Sequence, residues 1–70
     1  MSQDDKLVMM ANQIGKFYRP QKQVEPVAAI AGHLRRFWDP RMRAAIIAHV
    51  EKGGTGLDEP VRQAVEKLRA

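Results

Sequence analysis

Imidazoles, hydroxyls, thiols and close carboxylates are the groups with which a protein attacks a substrate, moves a proton or holds a metal. This 70-residue chain has few of them. His33 and His49 are the only imidazoles, sixteen positions apart on different predicted helices and with no ligand cluster beside either. The spacing suits a boundary histidine with one hydrogen bond better than a metal ligand. Ser2 lies at the terminus, and Thr55 sits in the run Gly53-Gly54-Thr55-Gly56. That run lacks the GK[ST] ending through which a phosphate loop supplies its lysine and hydroxyl, so it reads as a turn between helices. Asp4 and Asp5 stand where a helix begins, and there acids favour the helix dipole without any cation. With no cysteine, neither a disulfide nor a thiolate metal site can form, and no iron–sulfur cluster can be held.

The chemistry that remains is recognition. His33-Leu34-Arg35-Arg36-Phe37-Trp38-Asp39-Pro40-Arg41-Met42-Arg43 gathers four of the twelve basic residues and the only tryptophan. Tryptophan, arginine and other large aromatic residues carry much of the energy of protein interfaces. Arg35, Arg36, Phe37, Trp38, Asp39, Pro40, Arg41 and Arg43 are therefore the candidate partner-binding residues. Arg35 and Arg36 also have a structural reading, because cations at a helix C-terminus are favourable by ~0.3–1 kcal/mol. Arg41 opposes the dipole at a helix start, a local conflict that invites a functional explanation. Trp38 has two readings, a plug for a small core or a projecting anchor, and sequence does not choose between them.

These residues must be positioned by helices. Leu7, Met10, Ala11, Ile14, Phe17 and Tyr18 recur at three- and four-residue steps, with Met9 beside the stripe. Ser2 and Asp5 have the form of a capping box, and Arg19-Pro20 ends the helix. A second helix is expected from Glu25-Pro26, with the stripe Val27, Ile30, Ala31, Leu34, Phe37 and Trp38. Asp39 is read as the N-cap of a third helix with Pro40 in its first position, so the two helices meet at a corner. Met42, Ala45, Ile46, His49 and Val50 mark the third helix, which the glycines close. Leu57, Val61, Ala64, Val65 and Leu68 mark a fourth, capped by Asp58 or Glu59. No segment alternates at period two. The expected fold is all-α: one domain over residues 1–70, a small bundle of about four short helices with a sharp corner at Trp38-Asp39-Pro40.

A core of this size rarely supplies more than ~3–5 kcal/mol without support, and a partner protein is the expected support here. The net charge of +4 is uneven: residues 7–22 hold Lys16, Arg19 and Lys22 and no acid. Such a surface suits nucleic acid, anionic lipid or an acidic protein face. A small basic nucleic-acid-binding module is the alternative reading, with the arginines on phosphates. The third helix argues against it, because Ala44, Ala45, Ile47 and Ala48 read no base edge. Its apolar excess, with Ile47 off the main stripe, suits a protein partner better. The acidic start and the lack of a long apolar run exclude an ordinary secretory signal and a bilayer span, so a cytoplasmic location is expected.

Two blocks carry a resemblance. Met10-Ala11-Asn12-Gln13-Ile14-Gly15-Lys16-Phe17, together with Ile30-Ala31-Gly32 leading into the His33–Arg43 run, resembles the delta subunit of soluble NAD-dependent formate dehydrogenase. The likeness extends to the Gly-Leu-Asp-Glu-Pro start of the last helix. It implies a cofactor-free accessory subunit of a bacterial cytoplasmic complex that oxidises formate and reduces NAD. In such complexes the alpha subunit carries molybdenum or tungsten on bis(molybdopterin guanine dinucleotide) with iron–sulfur clusters. The beta and gamma subunits carry FMN and further clusters. The resemblance makes the alpha subunit the expected partner, with the chain supporting assembly or stability and taking no catalytic part.

Overall fold

The structure is a computed structural model and describes residues 2–69. It contains α1 (Gln3–Tyr18), α2 (Pro26–Phe37), α3 (Pro40–Glu51) and α4 (Glu59–Arg69), and no strand among the described residues. The helix boundaries follow local chemistry. Ser2 accepts from the Asp5 amide while the Asp5 carboxylate accepts from the Ser2 amide, the reciprocal pair of a capping box. Glu25 caps α2 through the Ala28 amide, and Asp39 caps α3 through the Met42 amide at 2.8 Å. In both helices proline takes the first position, where no amide hydrogen is missed. Beyond α3, Gly53 and Gly54 take positive φ, and the Gly54 amide reaches back to the His49 carbonyl at 3.0 Å. Left-handed backbone of this kind closes a helix and favours glycine. The Arg62 amide bonds the Asp58 carbonyl at 2.9 Å, which puts Asp58 in the capping position before α4.

All four helices share one core: Leu7 and Ala11 of α1; Ile30, Ala31 and Leu34 of α2; Trp38; Ile46 and Val50 of α3; and Val61, Ala64 and Val65 of α4. Two expectations for α1 need correction. Met10 is 42% and Phe17 64% exposed, and the buried face runs instead through Leu7, Ala11 and Gly15. Small residues hold the inner positions because α4 comes so close: a Cβ built on Gly15 would lie 2.6 Å from a methyl of Val61. The larger side chains of the apolar stripe are turned out of that contact. On α3, Ile47 packs against the core, so the apolar excess expected there is largely absorbed by the fold.

One polar side chain ties the ends of the chain together. Asn12 donates from Nδ2 to the Gly56 carbonyl at 2.9 Å and accepts at Oδ1 from the Asp58 amide at 2.9 Å. A single amide thus joins the middle of α1 to the connection entering α4. Asn12→Ala should lower stability by ~1–2 kcal/mol, since both backbone groups lose their partner but lie near enough to water for partial compensation. Urea unfolding followed by circular dichroism should show a lower midpoint with an unchanged slope.

Candidate partner interface

The corner between α2 and α3 consists of two extended residues, Trp38 (φ −87°, ψ 138°) and Asp39 (φ −74°, ψ 166°). It separates the aromatic pair. Phe37 ends α2 with 70% of its surface exposed, whereas Trp38 turns inward and is only 5% exposed. Of the two readings open for Trp38, the core plug is the one observed. The view that it offers free contact area does not hold, because the backbone leaves the helix at Trp38 and directs its ring between the helices.

The arginines divide in the same way. Arg43 donates from Nη1 to the carbonyls of Arg35, at 3.2 Å, and Trp38. These acceptors stand at the end of α2, where helical carbonyls lack intrahelical partners. Arg43 is therefore a clamp on its own corner rather than a free hand for a partner. Arg35 reaches across to the Lys67 carbonyl in the last turn of α4, at 3.2 Å. It stabilises a helix end as expected, but the end of α4 rather than of α2. Arg36 and Arg41 are exposed, and neither has a hydrogen bond or ion pair among the described residues. Asp39 serves as a cap, and Pro40 begins α3 on the exposed side of the bend.

Phe37 does not stand alone. Its ring lies 4.7 Å from that of His33, which meets Tyr18 edge-on at 6.1 Å, and Tyr18 meets Phe17 at 5.0 Å. This aromatic chain crosses from α2 to α1 beside an open cavity of about 360 Å³. Met10, Gln13, Ile14, Phe17, Tyr18, His33 and Trp38 line it. Trp38 thus contributes the small edge it shows outside to the bottom of a groove. Met10 and Phe17 were expected in the core and are instead part of this surface. Sequence reasoning missed the groove because their helical spacing fits a second, outward stripe equally well. The signal available was Met9 and Met10 together, an apolar face wider than one helix contact requires.

The acids are engaged elsewhere. Asp5, Glu25 and Asp39 cap helices, and Asp4 lies 4.0 Å from His49 Nδ1. Glu59 and Glu66 pair with Arg62, and Glu66 and Glu51 with Arg69. Hydrogen bonds from Arg62 and then Gln63 hold the Glu59 carboxyl down at about 2. The remaining histidine is accounted for: His49 Nε2 lies 2.8 Å from the Thr55 carbonyl, the contact of an N–H donor pinning the glycine loop. Among the described residues no group of three His, Cys, Asp or Glu could hold a metal ion, and no helix is long and apolar enough to cross a membrane.

This surface, exposed aromatic and cationic on a small helical frame, is carried by the same two blocks that bear the resemblance noted in the sequence. The family described as the NADH-dependent formate dehydrogenase delta subunit, FdsD, matches residues 6–65. The chain belongs to that family. The match takes in α1 from Lys6, all of α2 and α3, and α4 as far as Val65. It therefore includes the groove, the corner and the glycine loop. As a member of the delta-subunit family, the chain is a subunit of a formate dehydrogenase complex, and other subunits of that complex are its partners. No curated protein and no solved structure matches it.

Proposed function

We propose that this delta subunit is a non-catalytic accessory chain that docks on the large molybdopterin-binding alpha subunit and supports assembly or stability of the complex in the cytoplasm. The observation that carries the reading is Phe37. Phe37, 70% exposed, is next in sequence to Arg36, which is unpaired among the described residues. It lies on an aromatic chain with His33, Tyr18 and the exposed Phe17, and an exposed apolar patch of this kind marks an interaction site. Covered by a larger subunit, the same surface stabilises whichever form of that subunit it binds, by mass action. The lack of cysteine leaves iron–sulfur clusters to the other chains. The molybdopterin, FMN and NAD sites are assigned there too, the alpha subunit being the direct partner and the beta and gamma subunits members of the same assembly.

The test separates docking from folding. Phe37→Ala combined with Arg36→Ala and Arg41→Ala should leave the helical signal and melting temperature of the free chain nearly unchanged, since exposed substitutions usually shift stability within about ±0.5 kcal/mol. Recovery of the alpha subunit with a tagged delta subunit should fall by at least tenfold, about 1.4 kcal/mol. Undiminished recovery would refute docking through this face. Formate turnover by the purified delta subunit alone would refute the accessory role.

A further inference from the structure

The groove between α1 and α2 has a chemistry of its own. Its apolar lining is closed at the bottom by Ile14, Tyr18 and Trp38 and is flanked by Phe17 and Met10. Its walls carry no negative charge: no acid occurs in α1 after Asp5, and none anywhere in α2. Cations, by contrast, stand around it. Lys6 precedes Met10 by one helical turn and so continues the stripe Met10, Gln13, Phe17. Lys16 follows Gln13 by three residues, and Arg36 follows His33 by three, each on the solvent side of its wall. Lys6, Lys16 and Arg36 are all exposed and have no ion pair among the described residues. Arg62 and Arg69 of α4 are paired, whereas Arg19, Lys22, Arg41, Lys52 and Lys67, like the rim cations, have no ion pair among the described residues. The groove rim is thus one part of the molecule where cations gather without counter-charges.

Resting on the docking reading above, we infer that the groove receives an acidic amphipathic helix from a partner subunit. One or two large apolar side chains of that helix enter between Phe17 and His33. Its Asp and Glu residues meet Lys6, Lys16 and Arg36 along the rim. Helix-in-groove recognition has this form, with apolar anchors at helical spacing and charges setting register. The trench is lined on α1 from Met10 to Tyr18, a span of about 12 Å, which suits roughly two turns of a helix. A second copy of this chain is a poor occupant, because its own groove faces carry the same cations and would repel.

Photocrosslinking in the assembled complex tests the assignment. A benzophenone amino acid is placed at Gln13, inside the groove, and separately at Phe37, at the corner, of the full-length tagged chain. Crosslinked peptides are then identified by mass spectrometry. The expected result from Gln13 is a segment of another subunit with apolar residues at three- and four-residue steps and an excess of Asp and Glu. Arg36→Glu with Lys6→Glu should lower recovery of that subunit by at least tenfold, and reversing the charge of the captured segment should restore it. Crosslinking from Phe37 but none from Gln13 would overturn the groove assignment and leave docking intact. Loss of both would overturn the two together. A basic or non-helical segment, a second delta subunit, or binding of the free chain to phosphatidylserine vesicles competing with the complex would each overturn the acidic helix as occupant.

Discussion

Trp38→Ala should unfold the free chain. Removing a buried indole from a packed core costs ~3–5 kcal/mol, and a core of this size supplies about that much in total. Trp38 is only 5% exposed and belongs to the cluster that joins all four helices. The helical circular dichroism at room temperature should largely disappear, and no cooperative melt should remain. A native-like melt would show that Trp38 is dispensable to the core. The consequence for assembly is specific: failure of Trp38→Ala to join the complex reports a lost fold, whereas failure of Phe37→Ala reports a lost contact. The pair of neighbouring aromatic residues therefore separates two causes that a single mutant would confuse.

Gly15→Val should have the second largest effect. Gly15 is buried on α1 where that helix crosses α4, and even a Cβ would approach the Val61 methyl to 2.6 Å and Ile30 to 3.7 Å. Val61 and Ile30 are both fully buried, so neither has space into which to move. Overpacking of this kind costs ~1–3 kcal/mol and occasionally more. Valine adds two further methyls and gains only a few tenths of a kcal/mol in helix propensity over glycine. The expected outcome is a loss near ~3 kcal/mol, read as a fall in the urea midpoint. Gly32 is the control. Nothing lies within 4 Å of a Cβ built there, so Gly32→Ala should raise stability by about 0.5–1 kcal/mol through helix propensity.

Helix positions were legible in the sequence because their ends are written in local chemistry. Ser2 with Asp5, Glu25-Pro26, Asp39-Pro40 and the glycines after α3 each act within a few residues, and each ends or begins a helix where read. What sequence could not give was the rotation of α1. Its stripe from Leu7 to Tyr18 offers two faces, and the choice between them rests on how closely α4 approaches. That approach depends on Gly15, a residue with no hydrophobic signal. The same limit applies to the binding segment. Sequence placed the corner, but the side on which each residue falls follows from two backbone angles at Trp38 and Asp39. Arg35 and Arg43 are held by carbonyls at helix ends, Arg36 and Arg41 are not, and no count of arginines distinguishes the pairs.

The Asn12 tie has a consequence for the order of events at the ribosome. The first helix made finds its polar partners in residues 56 and 58 and its closest packing partner in Val61. α1 can pack on α2 and α3 as these emerge, but its Asn12 tie and its contact with Val61 must wait for the last helix. The core that seats Trp38 is accordingly completed late, because its members Val61, Ala64 and Val65 are the last to be made.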